Sequence, residues 1–133
     1  MTASIDFFRC MLRLPPHWVA WVAILMAANG IGSLFYITSI EGQITLAAMM
    51  LGAMIQTTIY ARMGFVRLLG VGHLHWLLLV AWLWMRLDAA PPGSMFRNWM
   101  LAVIVVNSIS LVIDIADIAR YGMGDRAPQI TLP

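Results

Sequence analysis

Apolar residues dominate four long stretches of the chain, and short joints rich in arginine separate them. The stretches cover roughly residues 18–37, 43–61, 68–85 and 98–119. Each approaches the length of about 20 residues that a helix needs to cross a hydrocarbon layer about 30 Å thick. The pattern therefore predicts an all-α integral membrane protein, a four-helix bundle that forms a single transmembrane domain over residues 1–133.

A shorter amphipathic segment, residues 3–14, precedes the first span. Its charged residues fall on one helical face and its large apolar residues on another, which is typical of a helix lying in the lipid headgroup layer. Pro15-Pro16 ends this helix because neither proline can donate a backbone hydrogen bond. A cleaved signal peptide is the alternative, but its apolar core is shorter than residues 18–37. The charged set is Asp6, Arg9 and Arg13, and the apolar set is Ile5, Phe8, Met11 and Leu12.

Arginine is distributed unevenly among the segments that connect the spans. Six arginines lie on the N-terminal flank, in the second joint and in the tail, whereas two lie in the third joint. Because cytoplasmic joints carry the excess of basic residues, both termini are expected in the cytoplasm of a bacterial-type inner (plasma) membrane. Tryptophan and tyrosine residues near the span ends agree with this topology. The six arginines of the predicted cytoplasmic side are Arg9, Arg13, Arg62, Arg67, Arg120 and Arg126, and the two of the opposite side are Arg86 and Arg97. The first joint carries Glu41 and no arginine.

Composition narrows the classes of function. The chain is 62% hydrophobic and 11% charged, far below the roughly 25% charge of a soluble domain. The spans leave no room within 133 residues for a folded extramembrane domain. No more than two arginines fall within six residues, so nucleic acid is not an expected partner. Cys10 is the single cysteine, which excludes an enzyme that works through an intrachain cysteine pair.

The fourth span carries a polar stripe formed by Asn107, Ser110, Asp114 and Asp117. Their spacings of three, four and three place them on one helical face. Lipid cannot satisfy such groups, so the stripe is expected to face the bundle interior or a wet cavity. Asn107 falls near the span centre, and Asp114 lies about 9 Å toward the predicted cytoplasmic side.

Polar residues on the other spans fall at similar depths and are candidate partners for this stripe. We predict a buried network centred on Asp114, in which an arginine or a histidine is the partner. Asp114 is either a proton- or cation-coupling residue or a structural partner, and we favour the structural role. The candidate network consists of Asp114, Asp117, Asn107, Ser110, His73, His75, Gln56, Arg62 and Arg67.

Metal and cofactor sites are not expected. His73 and His75 are two residues apart, so on a helix they point about 160° away from each other and cannot both bind one ion. A hydrogen bond between a histidine and Asp114 is a better explanation of these residues. Met50 and Met54 have a spacing that could bind copper(I), but methionine is also a common core filler.

Three functions remain open at the level of sequence. The preferred hypothesis is a non-enzymatic accessory, structural or interaction subunit that contacts the lipid bilayer as a homo-oligomer or within a larger membrane complex. Small residues at helical spacing, such as Ala28 with Gly32 and Ala48 with Gly52, allow close helix packing and support it. The alternative is a small oligomeric transporter or channel with Asp114 as the coupling residue. A membrane enzyme acting on lipid or quinone ranks last, since no nucleophile and base are recognisable.

Overall fold

The computed structural model describes residues 2–132 and confirms the all-α fold. Four of its helical segments are long and apolar enough to cross a membrane, so the chain is a multi-pass membrane protein. Their ends lie within four residues of the predicted ends. Span one is Pro16–Phe35, span two is Ile40–Met63, span three is Arg67–Ala89 and span four is Met95–Gly122.

The spans differ in regularity. Helix α1 (Thr2–Leu12) precedes span one, which consists of α2 (Pro16–Met26), a π-helical segment (Ala27–Ile31) and α3 (Gly32–Phe35). Span two is the continuous helix α4 and span four is the continuous helix α6. Span three begins as a 3₁₀ helix (Arg67–His73), continues as α5 (Trp76–Arg86) and ends in a short 3₁₀ turn (Leu87–Ala89).

The π-helical segment of span one is stabilised by side chains that bind its backbone. The indole Nε1 of Trp99 on α6 donates to the carbonyl oxygen of Ala28 at 2.9 Å. Ser33 donates from Oγ to the carbonyl oxygen of Asn29 at 2.6 Å. Such bonds matter inside a bilayer because water is absent and any displaced backbone carbonyl must find a partner in the protein. The irregular turn therefore depends on contacts with span four.

The first joint differs in detail from the sequence expectation. Glu41 was predicted to lie in the joint, but it lies in the first turn of span two, which begins at Ile40. Ser39 caps this helix, and its Oγ accepts from the backbone N of Gly42 at 3.0 Å. A side chain at Gly42 would collide with the carbonyl group of Tyr36. The hairpin is thus tight, and the Ser39 cap sets the position at which span two begins.

Gly70 and Gly72 allow the 3₁₀ start of span three to pack closely between spans two and four. A Cβ at Gly72 would collide with the side chain of Gln56 and lie 3.1 Å from the carbonyl oxygen of Gly52. A Cβ at Gly70 would lie 3.0 Å from the Cβ of Asp114. The missing side chains of these two glycines therefore allow span three to approach both neighbours.

The main apolar core lies between spans three and four. Leu83, Met100 and Val103 are fully buried at its centre. The core is completed by contacts with span one through Leu25 and with the third joint through Ala90.

A second, smaller apolar cluster joins α1, the second joint and the C-terminal tail. Phe7 and Cys10 of α1 pack with Phe65 and Leu69. The tail returns to this cluster, where the backbone N of Gln129 donates to the carbonyl oxygen of Phe65 at 2.7 Å. The three segments therefore meet at one end of the bundle. That this end faces the cytoplasm, and that α1 lies in the headgroup layer, remain predictions.

Candidate functional site

His73 and Asp114 form the hydrogen bond at the centre of the candidate site. Nδ1 of His73 lies 2.9 Å from Oδ2 of Asp114. The ring of His73 stacks on Trp76, with the ring centroids 4.1 Å apart, and Ser110 Oγ lies 3.5 Å from the same carboxylate oxygen. Since an ionised carboxylate only accepts, Nδ1 carries the proton of this bond and Nε2 is left for another partner.

Arg67 forms the second part of the site, next to the His73–Asp114 bond. Its Nη1 lies 2.5 Å from Oδ1 of Asp117, and its Nε lies 3.0 Å from Oδ2 of Asp125 in the tail. Asp117 is therefore paired with an arginine of another span rather than with Arg120 of its own helix. Arg120 instead lies 4.0 Å from Asp125. The planar guanidinium suits such a bridge because its donors point in fixed directions.

His75 faces a different helix from His73. Its Nε2 lies 2.7 Å from the carbonyl oxygen of Ala48 on span two, and because a carbonyl only accepts, Nε2 is the protonated nitrogen. Gln56 also bonds to backbone, donating from Nε2 to the carbonyl oxygen of Leu69 at 3.2 Å. Arg62 is exposed on span two, and within residues 2–132 it forms no ion pair. Of the predicted set, His75, Gln56 and Arg62 thus stand apart from Asp114.

Asn107 belongs to a separate pair rather than to the group around Asp114. Asn29 Nδ2 donates to Asn107 Oδ1 at 2.7 Å, and Asn107 Nδ2 donates to Asn29 Oδ1 at 2.8 Å. The two residues are 1% and 0% exposed, so this reciprocal bond between spans one and four is shielded from lipid. The sequence places both asparagines near the middle of their spans, which is the signal that could have identified the pair.

An ion pair at the opposite end of the bundle was not predicted. Nε of Arg86 on span three lies 2.5 Å from Oε1 of Glu41 on span two, and Glu41 is 5% exposed. Both residues were assigned to joints, where a charged side chain is expected to be solvated. The opposite charges at the start of span two and the end of span three were the available signal.

A cavity of about 780 Å³ adjoins the His73–Asp114 bond. It extends from Asn29 inside the bundle to Arg67 and Arg120 at the end where the tail packs. Residues of all four spans form its walls, and α1 contributes aromatic and apolar side chains. His73 and Asp114 therefore lie in a cavity wall rather than in the sealed core.

Neither a metal-binding cluster nor a known relative points to the chemistry of the site within the part of the chain that the structure describes. Within residues 2–132, no group of three or more histidine, cysteine, aspartate or glutamate side chains is arranged to hold a metal ion. Comparison with protein-family models, with curated proteins and with solved structures finds no match to this chain. We therefore infer the function from the geometry of the bundle.

Proposed function

We propose that this membrane protein acts as an accessory or interaction subunit rather than as an enzyme. The observation that carries the proposal is that polar side chains inside the bundle bond to groups on other spans. Asn29 joins Asn107, His75 joins span two, and Arg67 joins Asp117. Such bonds stabilise helix association in lipid. They use the polar groups to hold the bundle together and leave few of them for chemistry.

The apolar core supports this proposal over conduction through a single chain. Leu83, Met100 and Val103 are fully buried between the level of the asparagine pair and the end that holds the Glu41–Arg86 pair. An ion path needs polar groups or water along its whole length. Dense apolar packing at this level opposes such a path.

Native mass spectrometry after gentle extraction tests the proposal. An accessory subunit is expected to appear bound to another membrane protein or as a defined homo-oligomer. Recovery only as a free single chain from its own membrane, at several detergent concentrations, would count against it.

Asp114 supports a second candidate, a proton- or cation-coupled transporter. Its carboxylate lies in a cavity wall and bonds to a histidine, the side chain that titrates nearest neutral pH. Flux measured in proteoliposomes tests this function. Asp114→Asn should abolish a flux and its pH dependence, whereas an unchanged flux would exclude this role for Asp114.

We further propose that the membrane is a bacterial-type inner membrane, with both termini in the cytoplasm. The support is the arginine distribution, six residues on one set of connecting segments against two on the other. The packing of α1 against the second joint and the tail is consistent with this arrangement.

A further inference from the structure

The cavity lies where spans one and two separate. The close contacts of span one with span two are made mainly by residues 27–35, whereas residues 16–26 contact span four. On the N-terminal side of the π-helical segment, Val22 and Leu25 of span one and Met49 and Ala53 of span two therefore line the cavity from opposite walls. This part of the wall is apolar and suits a hydrocarbon chain.

The cavity opens sideways, toward the region that lipid occupies. Met26, Met50 and Val112 line it and are also 46%, 56% and 70% exposed. These three residues belong to three different spans, and all three are apolar. A molecule dissolved in the bilayer could therefore enter past these apolar side chains.

The opposite end of the cavity is polar, and its arginines are paired with aspartates. Its lining carries two arginines, Arg67 and Arg120, and two aspartates, Asp114 and Asp117. Arg67 is already paired with Asp117, and Nδ1 of His73 is already bonded to Asp114. An additional charged headgroup would disturb these pairs, whereas an uncharged group can bond to Nε2 of His73, which accepts from a hydroxyl when the ring is neutral and donates to a carbonyl when the ring is protonated.

We propose that the cavity binds a neutral amphiphile, with a hydroxyl- or carbonyl-bearing head at His73 and an apolar tail between spans one and two. The cavity extends from the level of the Asn29–Asn107 pair to Asp117, which is about 15 Å along span four at about 1.5 Å per residue. The volume of about 780 Å³ falls in the range of pockets that enclose most of a drug-sized ligand. This chemistry is shared by membrane quinones and by monoacylglycerols. Binding requires no partner subunit, so this inference and the proposed function can fail separately.

Titration of the full chain in phosphatidylcholine nanodiscs tests the proposal. The probes are a benzoquinone with a decyl tail, a monoacylglycerol, a fatty acid and an alkylamine. Binding is measured by the change in tryptophan fluorescence, to which Trp18 and Trp76 of the cavity wall contribute. One neutral probe is expected to bind saturably with one molecule per chain, and the probe that does so identifies the source. The charged probes should bind at least about tenfold more weakly. Absence of saturable binding by both neutral probes, or equal binding of a charged one, would overturn the proposal.

Cavity-filling variants locate the binding. Ala53 lines the cavity, whereas Ala61 is exposed on the same helix outside it. Ala53→Phe should weaken binding at least about tenfold, and Ala61→Phe should leave it unchanged. Ala116→Phe and Ala119→Phe form the same comparison on span four, for use if Ala53→Phe fails to fold. Equal affinity of a folded cavity variant and its control would contradict this site.

Discussion

At the residue scale, the reciprocal bond between Asn29 and Asn107 joins two spans through side chains that are fully shielded from lipid. Each side-chain amide donates one hydrogen bond to the other and accepts one from it. Asn29 Nδ2 also donates to the carbonyl oxygen of Leu25 at 3.0 Å. In lipid the alternative to such a bond is an unsatisfied amide in hydrocarbon. The pair therefore specifies how spans one and four face each other.

Replacing one asparagine should lower the free energy of unfolding, and replacing both should lower it less. Asn107→Leu leaves the Asn29 amide oxygen unpaired, so the free energy of unfolding should fall by about 1 kcal/mol. Adding Asn29→Leu removes the stranded group and should recover part of this loss. Unfolding in mixed detergent micelles measures both. Asn98→Leu, at an exposed site on the same helix, should change little, and an equal loss there would contradict the role of the pair.

The Glu41–Arg86 ion pair makes a second prediction at this scale. Glu41→Gln removes a charge that is 5% exposed and bonded to Arg86, so a loss of about 1–3 kcal/mol is expected. In a double-mutant cycle, Arg86→Gln should cost less when Glu41 is already changed. The exposed Asp6–Arg9 pair is the control, and Asp6→Asn should change stability by less than about 1 kcal/mol. Additive losses at Glu41 and Arg86 would show that the two do not interact.

At the scale of elements, the 3₁₀ start of span three brings the candidate site together. It carries Arg67 and His73 toward span four, while Gly70 and Gly72 let its backbone approach both neighbours. Hydropathy identified this stretch as part of a span, but it could not distinguish a 3₁₀ helix from an α-helix. The expectation that His73 and His75 point apart does not depend on that distinction, because residues two apart diverge in either helix.

Gly72→Ala should therefore destabilise the fold although alanine is the better helix former. The new methyl group would collide with the side chain of Gln56 and press on the backbone of Gly52, so a loss of about 1–3 kcal/mol in the free energy of unfolding is expected. Gly122→Ala, where nothing lies within 4 Å, should be neutral or slightly stabilising. Unfolding curves of both variants check this, and a neutral Gly72→Ala would mean that spans two and three are not in close contact.

At the scale of the whole molecule, the number and extent of the spans were predictable, but the pairing of their faces was not. Length and apolarity along the chain define each span locally. Asn107 was assigned to the Asp114 group because spacing along span four identifies a face but not the helix opposite it. Glu41 was assigned to a joint because a lone acid after an apolar stretch resembles a loop residue, and its partner Arg86 lies on another span. The π-helical segment has no signal in hydropathy, and it depends on Trp99 and Ser33 from outside its own five residues.

The four crossings also place the connecting segments in two groups. Helix α1, the second joint and the tail form one group, and the first and third joints form the other. Exposed positions are available in both groups for chemical labelling, and replacing Cys10 with serine removes the chain's own thiol.

Cysteine labelling in intact cells tests this arrangement most directly. In a Cys10→Ser background, Thr38→Cys and Ala89→Cys should react with a membrane-impermeant maleimide from outside. Thr2→Cys and Ala127→Cys should react only after the cells are permeabilised. Labelling of Ala127→Cys and Ala89→Cys from the same side of the membrane would contradict a chain that crosses it four times.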